Sequence, residues 1–461
     1  MQIMRKTSKR EPDFGKDKIM SILLRLSPPV MLAQLIQALY NLIDSYFVGS
    51  YSESGLTALS IIYPLQLLMI ALAVGTGVGI NTLMSHFLGI GDRKKSDETA
   101  GVGIPLACAI WFAFAVICWF IMPFYADIST ETKQIAQEVV VYGRIVCVCS
   151  FGIFFESVWT KILQATGNMK IPMVAQIVGA IVNIILDPIM IFGFGFIPKM
   201  GIAGAAIATV ISQLVSAVLC CVYIFFKVKM LLPDRNSFKN LTLTVRDELK
   251  VGFPMGLQNS VISIGMMVLQ YFVNQFGSYA VAAYTIGNRV QLLIQNPMNS
   301  MSTVIATFAG QNEGAGRYDR IKKGVNFCLL ICIAYSIVIG AVSMIFAQPI
   351  TGIFTSGSSQ QTIDYSVQFI FWNCPFEWSL AMLFIYRGTI QGLKNGIVPM
   401  IGSLIEVVMR IMTPVIFSSV IGYASICVAG PAAWTGSMLL MIAVYYVKIR
   451  KLSKTKTVVA N

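Results

Sequence analysis

Histidine is almost missing: His86 is the only one in 461 residues. A single imidazole leaves no paired-histidine metal centre, and no nucleophile–base pair or metal-spaced ligand cluster takes its place, so the chain does not read as an enzyme. Charge is scarce as well. Asp, Glu, Lys and Arg make up 12% of the residues, against about 25% in a soluble domain, so half the usual solvent-facing material is absent. The ten cysteines include no CxxC pair and lie in apolar stretches, as at Cys108, Cys118, Cys220 and Cys221. They read as soft packing groups. The opening MQIMRKTSKREPDFGKDK lacks an apolar core and a small-residue cleavage site, and reads as a cytoplasmic tail rather than a signal peptide.

What the sequence does have is hydrocarbon. Hydrophobic residues reach 56% and the mean hydropathy is +0.73. Apolar runs of about 20 residues, each long enough to cross a bilayer, recur from Val30 to Val447. The expectation is an all-α integral membrane protein with twelve transmembrane helices. The net charge of +13 is explained by topology. With the N-terminus in the cytoplasm, the inward segments hold 27 Lys and Arg, while the outward loops hold only Lys133 and Lys199. That asymmetry follows the positive-inside rule and puts both termini in the cytoplasm of a multi-pass cell-membrane (plasma or inner membrane) protein. The basic surface then meets anionic lipid, and no nucleic acid is called for.

The chain also repeats. Shifted by 225, Pro29 meets Pro254, Tyr46-Phe47-Val48 meets Tyr271-Phe272-Val273, and Gln66 meets Gln291. Later the offset becomes 227, where Gln164, Asn168 and Pro172 meet Gln391, Asn395 and Pro399. Six spans per repeat return the chain to the same side. This predicts two six-helix bundles related by a pseudo-two-fold axis along the membrane normal, with a cavity between them, as alternating access requires. The expected order is a cytoplasmic tail (1–27), an N-lobe (28–228), a cytoplasmic linker (229–247), a C-lobe (248–449) and a C-terminal tail (450–461).

Polar residues inside these spans are costly. An Asp at a helix centre costs roughly 2.5–3.5 kcal/mol on insertion scales, so each one asks for a function. Asn183 and Asp187 stand four apart on one helical face, and Pro188 withdraws the N–H that the Ile184 carbonyl would bind. Together they offer oxygen ligands for a proton or a small hard cation. Asp44 shares the first span with Gln34, Gln37 and Asn41, a polar stripe that should face the bundle interior. The second half breaks the pattern: Leu269 matches Asp44 and Arg410 matches Asn183. Arg410 and Glu406, four apart, are expected to pair. Glu156, Glu377 and Arg289 are further candidates for a substrate cavity, where either acid would attract a cation or neutralise an arginine. His86 beside a basic loop reads as a surface residue.

NxxxDP followed by IFGFG, then GIAGAAIATVISQ, the Asp44 segment, and GQNEGAG after the eighth span together resemble the multidrug and toxic compound extrusion family. The likeness covers about residues 20 to 450. The seventh and eighth spans hold no acid over 251–275 and 283–308, which places the chain nearest the DinF-like branch with its MepA-like pumps. The resemblance implies export of organic, often cationic, compounds driven by inward H⁺ or Na⁺, with no cofactor. It also implies a cation site of Asp44, Asn183, Asp187 and Thr209, the last on the resemblance alone. Small-molecule substrates, lipid contacts and a monomer are the expected partners and state. A lipid-linked oligosaccharide or lipid flippase of related architecture is the alternative, kept open by Arg144, Arg289 and Arg410.

Overall fold

The structure, a computed structural model, describes residues 13–195, 197–228, 241–354 and 360–460. They are almost wholly helical. The first half runs α1 (Ile19–Tyr51), α2 (Glu53–Ile90), α3 (Arg93–Ser129), α4 (Lys133–Val148), α5 (Phe151–Ala165), α6 (Lys170–Phe192) and α7 (Ile202–Tyr223). The second runs α8 (Leu241–Asn274), α9 (Ser278–Gly314), α10 (Tyr318–Ile345), α11 (Ala347–Phe354), α12 (Gln360–Asn373), α13 (Glu377–Gly392), α14 (Ile397–Ile421) and α15 (Ala424–Ala460). Among the described residues, ten helices are long and apolar enough to cross a membrane, α4 and α5 counting as one. The 37-residue α9 and the pair α12–α13, joined by a 3₁₀ turn at Cys374–Phe376, hold the places of α2 and α4–α5 in the second half. Two sets of six result, with α11 as a short extra helix.

Several helices outrun the expected boundaries. α1 begins at Ile19, inside the stretch read as a tail, and α15 continues to Ala460 through the one read as the other tail. α8 begins at Leu241, inside the expected linker, whose residues 229–240 lie outside the described residues. The physical reason differs by helix: long basic side chains carry α15 on into the polar zone, whereas the start of α1 is held by apolar packing of Ile22, Leu23 and Leu26.

The loops bearing Arg93–Lys95, Lys170, Arg317–Lys323 and Lys394 share one end of the molecule, termed the basic end here. The two halves meet there chiefly through α2 against α9 and through two pseudo-equivalent contacts, α1 against α9 and α2 against α8. The last is a glycine crossing. Gly75 and Gly79 on α2 face Gly252 and Gly256 on α8, and a Cβ on Gly75 would lie 2.7 Å from the Gly256 Cα. Only glycines let the two backbones come that close. Polar contacts close the same end: Gln311 Nε2 donates to the Ala165 carbonyl (2.7 Å) and Thr307 Oγ1 to Asn81 Oδ1 (3.3 Å). Among the described residues, the hydrogen bonds between the halves reach no farther from this end than Ser300 Oγ to Gln34 Oε1 (3.0 Å).

Of the four apolar core clusters, three stay within one half. The fourth sits in the second half yet takes in Phe14, Ile22, Leu23, Leu26 and Val30 from the start of the chain. The first half therefore seats the near end of its own first helix inside its neighbour.

Candidate ion site and central cavity

α6 positions Asn183 and Asp187 one turn apart, and Asn183 Nδ2 donates to Asp187 Oδ1 (3.1 Å). Both side chains are fully buried. α6 packs on α1 and on α7, which bring Asp44 and Thr209; these two are also buried. Asp44 lies within electrostatic reach of Asp187, and both bear on Tyr40 and Tyr142. Gln66 Nε2 donates to the Tyr142 hydroxyl (3.2 Å).

One oxygen on each of the four residues has no hydrogen-bond partner among the described residues: Asp44 Oδ1, Asn183 Oδ1, Asp187 Oδ2 and Thr209 Oγ1. A buried polar atom without a partner is rare and costly. These four atoms lie on three packed helices, and all are hard oxygen donors, the kind that suits a proton or Na⁺ and not a soft metal.

The second half answers with opposite charge. Leu269 fills the place of Asp44 and is buried in an apolar cluster. Arg410 is buried beside Glu406, at 3.9 Å. The closer partner of Glu406 is Arg387 on α13, through its Nη2. The expected Glu406–Arg410 pair is thus one arm of a triad. Sequence spacing displays the i, i+4 arm but carries no sign of a partner on another helix.

A cavity of about 460 Å³ lies between the halves. Gln34, Gln37 and Glu156 are in its wall. Asn41, Glu377 and Arg289 are not. Asn41 is exposed one turn beyond Gln37, and Arg289 is exposed on α9. Glu377 is fully buried inside the second half, where its Oε1 accepts from Gln291 Nε2 (2.6 Å). The stripe on α1 predicted the wall for as long as the helix borders it. Glu377 went astray because the 3₁₀ turn just before it re-aims the start of α13.

Two charged wall residues are not singled out by the sequence, Lys161 on α5 and Arg387 on α13. They are separated by 226 residues, one short of the repeat offset nearby, and that near-match was the available signal. His86 was also misread. Its Nδ1 pairs with Glu313 of the other half, and Lys394 Nζ reaches its Nε2 (3.1 Å) and Glu313 (3.5 Å). It is a bridge between the halves rather than a surface residue.

Comparison with known proteins agrees with this layout. The MatE family matches residues 29–189 and 254–416, once in each half. A probable multidrug resistance protein NorM of Thermotoga maritima is 27% identical over 393 residues, 84% of this chain and 82% of that protein. An FAD transporter of Shewanella oneidensis is 23% identical over 445 residues, 95% and 96% of the two chains. In fold, the chain resembles the outward-facing conformation of a multidrug resistance MATE family transporter, with a TM-score of 0.87 and 23% identity, covering 98% of this chain and 100% of that one. Twin matches covering most of the chain, each over one six-helix half, make this protein a member of the MatE family of membrane transporters.

Proposed function

We propose that this chain is a secondary active exporter of organic compounds, driven by H⁺ or Na⁺ entering through Asp44, Asn183, Asp187 and Thr209. One observation carries the reading: Asp44, Asn183, Asp187 and Thr209 each keep a partnerless buried oxygen on packed helices of the first half, outside the wall of the cavity that would hold the cargo. An ion site separate from the cargo site serves an antiporter, because each occupant can then bias the same two-state movement. With the acids charged and bare, the first half stores uncompensated negative charge in a dry interior. Loading with a proton or Na⁺ removes that penalty and lets the helices repack.

In this reading the basic end is cytoplasmic, as the positive-inside rule requires, and both termini lie there. The cavity, shut at that end, faces outward, and the molecule acts as a monomer in the cell membrane. The two lobes, near 28–228 and 248–449, rock about the contacts at the basic end. The names of the relatives, one for multidrug resistance and one for FAD transport, support varied organic cargo. Family membership disfavours the flippase alternative.

The test is efflux of a fluorescent organic cation, ethidium, from proteoliposomes under a pH gradient or a Na⁺ gradient, imposed separately. Transport should follow one gradient and disappear in Asp187→Asn. Gradient-driven efflux that survives in that variant would remove Asp187 from the coupling site.

A further inference from the structure

Lys161 and Arg387 approach one cavity from opposite halves of the molecule. We propose that they bind the anionic group, a carboxylate or phosphate, of an organic substrate at the closed end of the cavity. The inference rests on the transport reading above and names the cargo chemistry of that same cavity.

The first argument is charge balance. Lys161 Nζ donates to Gln164 Oε1 (3.0 Å), and among the described residues no carboxylate pairs with it. Arg387 is 6% exposed and spends one nitrogen on Glu406, while its Nε has no partner. Glu406 must also serve Arg410, so two guanidinium groups share one carboxylate and the cluster keeps a positive charge. Against these, the wall holds a single acid, Glu156, which has Gln176 beside it. Desolvated cations without counter-charge are expensive, and an anionic ligand supplies what is missing through charge-assisted hydrogen bonds.

The second argument is placement. Lys161 and Arg387 lie just before the last turns of α5 and α13, and the Lys161 carbonyl accepts from Asn81 Nδ2 (3.0 Å), whose Oδ1 meets Thr307 of the other half. Gly77 on α2 makes room for the lysine: a Cβ there would fall 2.8 Å from Lys161 Cγ. The third is the character of the wall. Its aromatic residues are Tyr40 and Phe384 alone, and its polar groups are mostly amides and hydroxyls such as Gln258, Asn259 and Gln391. A site built for lipophilic cations alone would be lined with ring faces. This one offers hydrogen-bond donors.

Flavin mononucleotide and riboflavin share a ring system and differ by one phosphate, so fluorescence titration of both against purified protein isolates the anionic group. Wild type should bind the mononucleotide about ten-fold or more tightly than riboflavin. Lys161→Gln should abolish most of that preference while riboflavin affinity holds. Arg387→Lys, which keeps a cation on Glu406, should reduce it partly. Equal affinities, no binding of either flavin, or a preference untouched in Lys161→Gln would overturn the inference. Ethidium efflux in proteoliposomes tests the transport reading by itself: gradient-driven efflux without a phosphate preference sinks the anion site alone, while binding with no transport of any probe sinks the exporter.

Discussion

Glu406 holds two buried arginines by itself, and its removal should be felt more than the loss of either partner. Glu406→Gln leaves Arg387 and Arg410 without counter-charge in the interior and is expected to destabilise the protein by about 3–5 kcal/mol. Arg410→Met leaves the closer Arg387–Glu406 pair intact and should cost clearly less. Thermal unfolding in detergent compares the two, and equal losses would mean that Arg410 is a full partner despite its 3.9 Å separation. At this scale the sequence was legible where partners share a helix. Asn183 and Asp187 stand at i, i+4 and are hydrogen-bonded, and the Glu406–Arg410 arm was visible the same way. Arg387, Lys161 and the partners of His86 were hidden, because their meanings depend on helices 19, 226 and more residues apart coming together. Local spacing has no access to that.

The closed basic end depends on the glycine crossing of α2 and α8. Gly75→Leu would drive a side chain into the Gly256 backbone. Overpacking of this kind costs about 1–3 kcal/mol, enough to shift a two-state equilibrium by roughly 5- to 150-fold. The expected result is faster hydrogen–deuterium exchange over residues 84–92 and 309–317, with the rest of α2 unchanged. Exchange at the wild-type rate would show that this end is held by other contacts. The helices themselves were legible from hydropathy and the repeat, since a span needs only length and apolar character. The breaks were not: α4–α5 and α12–α13 each remain one apolar stretch in sequence, and the interruptions at Cys149–Ser150 and Cys374–Phe376 carry no glycine and only one proline to announce them. The 75–79 and 252–256 glycine pairs were in plain view, but which helix each would meet was not.

Across the whole molecule, the basic end is fastened a second time by Glu313, which holds both His86 and Lys394. Glu313→Gln keeps the shape and removes the charge, so the two halves should part more readily there. Limited trypsin digestion at Arg317–Lys323 would report it as faster cleavage, and an unchanged rate would show that the glycine crossing and the Gln311 and Thr307 hydrogen bonds suffice to hold this end. The two-bundle plan and its axis could be read from the repeat. The interlocking of the bundles could not, because nothing in the periodicity of α1 says that its near end belongs to the other half. Asp44 and Leu23 lie on that one helix, 21 residues apart, or about 30 Å. One end is tied into the acid cluster. The other is embedded in the second half, where Arg320 Nη2 also grips the carbonyls of Phe14 and Asp17 (2.9 and 2.7 Å). In the exporter proposed above, the ion would act on one end of α1, while the second half is packed around the other. The stretch between those ends, from Val30 to Tyr40, is cavity wall, so whatever moves α1 also reshapes the place where cargo sits.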